Sequence, residues 1–190
     1  MNNFVDGFLR LAFIKRFSMH NTIRPQSVAE HSYNVAMLCM YIFDQDHGSH
    51  LEATELRNEI LSKALLHDYP ECGVGDICAT VKHYTPEINA EVKKVEDLVM
   101  EEIFKTGLYP DYRVTIRDCK ARYTGEVVAL ADLIERLIYL DQEKTMGNTI
   151  FEGQYSDTDK LLASDKYKSM VEHWPTAREL ITHYLERIKR

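Results

Sequence analysis

The sequence has no CxxC pair among its four cysteines, Cys39, Cys72, Cys78 and Cys119. That spacing excludes a zinc-finger or disulfide framework, and reduced thiols in a cytosolic setting are expected instead. No apolar run approaches the roughly 20 residues that cross a bilayer, so no membrane partner is expected. The first residues, MNNFVDGFLRLAFIKRF, lack the basic-then-apolar order and small-residue cleavage site of a secretory signal. Basic charge is also scarce: 23 Lys and Arg against 30 Asp and Glu leave a net charge of −7. This balance argues against a nucleic-acid polymer as partner, and an anionic ligand would have to meet a local cation cluster or a metal. Several familiar motifs are missing too. There is no GxxxxGKS/T or GxGxxG loop to cradle phosphates, no GxSxG elbow, and HDYPE at 67–71 is not HExxH.

What is present is an ordinary globular composition, 45% hydrophobic and 28% charged over 190 residues, enough for one domain with a full core. Few stretches alternate with period two, and no repeat, low-complexity tract or linker interrupts the chain. The pattern predicts an all-α single-domain bundle over 1–190. Ser27 followed by Glu30 is a capping box that opens a helix with Val28, His31, Val35, Leu38 and Ile42 inward, ending at His47-Gly48-Ser49. A second helix is expected from about Glu52 to Asp68, with Leu56, Ile60, Ala64 and His67 on one stripe. A third runs from about Glu87 to Lys105 with Val92, Val95, Val99 and Ile103. The fourth, about Gly125 to Met146, is apolar around most of its circumference and is expected to be central. Thr176 with Glu179 reads as a second capping box, opening a C-terminal helix over 176–190.

The polar exceptions on these helices carry the chemistry. His31, His67, Asp68 and Asp132 fall where core side chains are expected, on three helices that can converge. Buried imidazoles and carboxylates are costly unless paired or bound. Two imidazole nitrogens and two carboxylate oxygens suit a divalent first-row metal (Co, Mn, Fe or Zn), with room for water and a phosphate oxygen.

The order H…HD…D, with S-V-A-E-H-S at 27–32, A-L-L-H-D-x-x-E at 64–71, G-D at 75–76 and A-D at 131–132, resembles the HD-domain phosphohydrolase superfamily. Within it the chain is most similar to the 5′-deoxynucleotidases and the related phage dATP triphosphohydrolases, from about Phe8 to about Leu140. The resemblance implies a compact HD-domain helical bundle whose metal and catalytic core covers about 8–140. It also implies a cytosolic hydrolase, bacterial or in a phage-infected host, and a homodimer or higher homo-oligomer. His31, His67, Asp68 and Asp132 correspond to the metal ligands. Only His83 lies between the doublet and Asp132, where binuclear relatives carry further histidines, so one metal per site is implied. Mg remains an option together with the substrate phosphates.

Glu71 corresponds to the catalytic glutamate, a carboxylate able to take a proton from the attacking water. Arg16 matches the arginine that orients the phosphate. Phe17 stands where the deoxynucleotidase pattern has tryptophan against the sugar, and Met19 departs from that pattern as well. Asp76 matches a sugar-contacting aspartate, Ile77, Cys78 and Ala79 occupy the substrate loop, and Lys82 matches a lysine that reaches phosphates in the triphosphohydrolases. Ser32 either bonds phosphate or caps its own helix. The implied function is release of phosphate from deoxynucleoside 5′-monophosphates. A dATP triphosphohydrolase of phage type is the first alternative, and a non-catalytic binding module on the same scaffold the second.

Overall fold

A computed structural model of the chain describes residues 3–48, 54–82, 84–105, 110–151, 158 and 161–190. Within them the chain forms α1 (Asn3–Arg10), α2 (Val28–His47), α3 (Thr54–Leu66), α4 (Glu71–Val74), α5 (Ala79–Lys82), α6 (Pro86–Ile103), α7 (Pro110–Arg117), α8 (Arg122–Thr145), α9 (Asp165–His173) and α10 (Pro175–Lys189). There is no strand among the described residues, only a single antiparallel bridge between Lys15 and Ser27.

Helix α8 is the axis. Val127, Val128, Leu130, Ala131, Leu133, Ile134 and Leu137 are all buried, because α2, α3 and α10 pack around it. α2 starts as its sequence predicts: Ser27 Oγ accepts from Glu30 N at 3.2 Å, and Glu30 Oε2 accepts from Ser27 N at 2.7 Å. It ends at Gly48, whose φ of 72° is a conformation that L side chains rarely adopt. The helix α6 is peripheral, burying only Met100, with Val95 and Leu98 exposed. An apolar stripe in sequence is therefore not proof of a core face.

Two expectations need correcting. α3 stops at Leu66 and not at Asp68. Pro70 has no N–H to donate and restricts Tyr69, so 67–70 close as a turn, with Tyr69 N donating to Leu66 O at 3.1 Å. Its start near Glu52 lies outside the described residues. The Thr176–Glu179 capping box does not form, because Pro175 already occupies the first helical position. Thr176 donates instead from N and Oγ to the Asp46 carboxylate at the end of α2, at 3.1 and 2.5 Å. An acid from another helix thus meets the positive end of α10. Met37 and Tyr41, one turn apart on α2, are about half exposed.

The segment 11–27 crosses one end of the bundle. Glu143, fully buried on α8, accepts from Ile23 N at 2.9 Å and Arg24 N at 2.8 Å. Burial opposes charge on this carboxyl, but these two backbone donors and the Asn148 amide outweigh it and hold it below the usual carboxylate range. The clamp fixes the segment that carries Arg16 and Phe17.

Candidate active site and metal centre

His31 is fully buried on the inner face of α2. Its Nδ1 lies 2.7 Å from Glu135 Oε2 on α8. The other Glu135 oxygen accepts from Gln26 Nε2 and from Asn34 Nδ2, the latter at 3.2 Å. A carboxylate so placed accepts a hydrogen bond from Nδ1–H and leaves Nε2 as the free acceptor. His67 is set the same way, its Nδ1 donating to Ala64 O at 2.7 Å within the last turn of α3.

The two free Nε2 atoms face each other at 3.2 Å. Asp132 Oδ1 lies 3.2 Å from His31 Nε2, and Asp68 Oδ2 lies 3.4 and 3.2 Å from His31 and His67 Nε2. Donor atoms of His31, His67 and Asp132 are all within 4.8 Å of one another. Two atoms that each sit about 2.1 Å from one ion are roughly 3.0 Å apart in octahedral and 3.4 Å in tetrahedral coordination. The donor set therefore fits a divalent cation. Its appetite for positive charge is visible at His31. Burial and the Arg16 charge push its pKa down, yet hydrogen bonds to Asp132, Asp68 and Glu135 outweigh both and carry it to about 10.

Glu71 opens α4 beside this cluster and is buried. Burial, with the charges of Asp68 and Asp76, lifts its pKa to about 8, against the opposing pull of Lys82 and Arg16. Lys82 Nζ is 3.6 Å from Glu71 Oε1 and 3.2 Å from Glu96 Oε1 on α6. Arg16 has a buried Nη1 with no partner among the described residues, and its guanidinium carbon lies 5.5 Å from the Phe17 ring centroid. Phe17 adopts φ 54°, a left-handed conformation uncommon for a bulky residue. Asp76 holds it there, accepting from Phe17 N at 3.1 Å. The Phe17 ring stacks on Tyr139 at 4.9 Å and 6°, with Phe151 edge-on at 5.5 Å.

The structure thus gathers His31, His67, Asp68, Asp132, Glu71 and Arg16 around one point, with Lys82 and the Asp76–Phe17 pair at its margin. Ile77 faces an apolar hollow against α6, lined with Val74, Ile88 and Val92, and Cys78 is half-buried just before α5. Ser32 is buried with no partner for Oγ among the described residues, and the cap is made by Ser27. The side chain of Ala79 and all of His83 lie outside the described residues. Two further side chains, Glu135 and Lys120, touch this cluster. Glu135 was detectable in principle, three residues beyond Asp132 on the same helix face. Lys120, whose ammonium donates to Asp132 Oδ2, had no such signal.

A helical domain that brings a histidine and a distal aspartate from two helices, and a His-Asp doublet from the turn after a third, to a single metal-fitting point is an HD-type phosphohydrolase. The chain belongs to the YfbR-like 5′-deoxynucleotidase family, whose model matches residues 3–177. It is similar to the 5′-deoxynucleotidases of Photorhabdus laumondii (27% identity, spanning 90% of this chain and 88% of the relative) and Shewanella oneidensis (28%, spanning 87% and 86%). Among solved structures, an HD-domain phosphohydrolase of Listeria innocua superposes with a TM-score of 0.77 at 25% identity, over 98% of this chain and 90% of that one. The HD phosphohydrolase DatZ of cyanophage S-2L, solved with dA and one catalytic Zn²⁺, shares the fold at a TM-score of 0.59 and 21% identity, over 96% and 95%.

Proposed function

We propose that the protein hydrolyses the 5′-phosphate of 2′-deoxynucleoside monophosphates with the help of one divalent metal ion. The observation that carries the choice of a monophosphate is the disposition of cations. Arg16 brings a buried, unpartnered Nη1 to the donor cluster, whereas Lys82 is already engaged by Glu71 and Glu96. A triphosphate brings about two more negative charges than a monophosphate and needs cations that are not committed elsewhere.

His31, His67, Asp68 and Asp132 would hold the ion, which when bound supplies Lewis-acid charge for a phosphoryl oxygen. Co, Mn, Zn and Fe all suit this donor set, and DatZ is a fold relative that holds Zn²⁺. Arg16 offers a planar fork to two phosphate oxygens. Glu71, buried and lifted to about 8, is suited to take the proton of the attacking water. Phe17, pinned by Asp76 and backed by Tyr139, presents an apolar wall that favours a sugar lacking its 2′-hydroxyl. The four free thiols agree with a cytosolic setting. A homodimer belongs to the same reading, supported by Tyr33, Met37 and Tyr41, an exposed stripe at successive turns of α2. A mass measurement giving only monomer at micromolar concentration would remove that element.

Incubation with dAMP and with dATP, with products resolved by ion exchange, tests the reading. Phosphate release from dAMP with dATP untouched is expected. Loss of dATP with dAMP inert would establish the triphosphohydrolase alternative. The Lys82→Ala variant should lower dAMP turnover near neutral pH only by removing the charge that opposes the rise of the Glu71 pKa, a loss that fades as pH rises. Under the triphosphate reading the same variant would lose most of its dATP turnover.

A further inference from the structure

Lys120 reaches the site from the turn between α7 and α8, and the chemistry above gives it no task. We propose that Lys120 is a phosphate-binding residue of the active site, joining Arg16 in holding the substrate dianion. The proposal rests on the deoxynucleotide phosphatase reading.

The first support is that the turn is built and not incidental. Cys119 Sγ donates to the carbonyl of His67 at 3.8 Å, tying the turn to the His-Asp doublet itself. Lys63, buried on α3, donates to Ala121 O at 3.2 Å and Thr124 Oγ1 at 2.6 Å, which fixes the other side. At Gly125 a Cβ would fall 2.5 Å from the Lys120 carbonyl carbon and 2.9 Å from its Cα. Backbone atoms cannot step aside as a flexible side chain does, so glycine is needed for the turn to lie on the start of α8. Three separate contacts therefore deliver Lys120 to one place.

The second support is the state of the ammonium. It donates to Asp132 Oδ2, while Oδ1 of the same carboxylate faces the His31 Nε2. An ammonium has three N–H donors, and Asp132 is its acceptor among the described residues. The side chain is 40% exposed, and two of its N–H donors remain after the bond to Asp132. Lys82 differs, since it is held between two carboxylates.

Charge supplies the third. Asp68 and Asp132 offset the two charges of a divalent ion, which leaves a phosphate monoester dianion to be matched by other groups. Arg16 provides one positive charge and Lys120 the second. Without the second, an anion would enter a cleft that also contains Glu71, Asp76 and Glu135.

The test compares wild type, Lys120→Met and Lys120→Arg, each loaded with Mn²⁺. Lys120→Met should raise the KM for dAMP by roughly 10- to 100-fold, the loss of one charge-assisted hydrogen bond, and Lys120→Arg should restore most of it. Inorganic phosphate, titrated calorimetrically into the Mn²⁺-loaded protein, should weaken by a similar factor in Lys120→Met. The metal-free variant should remain folded, and its Mn²⁺ affinity should not fall, since removing an ammonium from Asp132 cannot weaken the hold of that carboxylate on a cation. Unchanged phosphate affinity and KM in a folded Lys120→Met variant would overturn the proposal. So would loss of Mn²⁺ binding without loss of phosphate affinity in the metal-saturated protein, since Lys120 would then only position Asp132. If wild type hydrolyses no nucleotide, the phosphatase reading fails, while the phosphate titration still decides the role of Lys120.

Discussion

Replacing Asp68 with alanine is expected to leave a folded protein that no longer retains a divalent ion and has no measurable phosphatase activity. The Asp68 carboxylate is about one-fifth exposed and lies in the turn after α3, so its removal opens no core cavity. What it takes away is the oxygen lying within 3.4 Å of both imidazole Nε2 atoms. Altering groups that merely orient a metal ligand typically costs 10- to 100-fold in affinity, so losing a ligand outright should exceed about 100-fold. His31→Ala should lose the metal as well, with a fall in stability, because His31 is fully buried and bridges α2 to Glu135 on α8. Calorimetric titration of the metal-free proteins with Mn²⁺ or Zn²⁺ measures this. Wild-type affinity in Asp68→Ala would remove Asp68 from the ligand set.

The Glu71→Gln variant should behave in the opposite sense, keeping the metal and losing roughly 10²- to 10⁴-fold in kcat, the usual worth of general-base assistance. The amide keeps the volume of the buried side chain and removes only its basicity. Direction with pH follows from the cause of the shift. Burial and the charges of Asp68 and Asp76 raise the Glu71 pKa to about 8, and a cation on Asp68 cancels part of that push. Glu71 is useful as a base only when ionised. The wild-type rate should therefore fall as pH drops through a pKa at or below about 8, and this acidic limb should vanish from the residual rate of Glu71→Gln. Normal turnover in Glu71→Gln would assign the base elsewhere.

Much of this site is legible in the sequence, because its elements are local. The Ser27–Glu30 box sets the start of α2 and thus the phase that turns His31 inward, and the apolar circumference of α8 announces a central helix that has to carry Asp132 with it. The H-D-x-x-E run places a doublet and an acid within one turn of each other whatever the helix does. The illegible parts depend on tertiary contact. The end of α3 is the local exception: periodicity continues through His67 and Asp68, while Pro70 breaks the hydrogen-bond ladder two residues sooner. Thr176 bears the letters of a capping box but is satisfied by Asp46 of α2, a partner 130 residues away. Short helices α1, α7 and α9, two turns or little more, are too brief for a periodic stripe to mark them. The engagement of Lys82 by Glu96 and the approach of Lys120 to Asp132 both depend on how separate segments pack, which no spacing encodes.

If four side chains hold one divalent ion and a deoxynucleotide 5′-phosphate is hydrolysed there, metal binding and phosphate release must rise together. Metal-free protein titrated with Mn²⁺ or Co²⁺ while phosphate release from dAMP is recorded tests it most directly. The predicted result is no release without metal and a rate that climbs and levels off at one equivalent of metal per chain. Equal release by the metal-free protein, or a metal-saturated protein inert toward every deoxynucleotide, would contradict it.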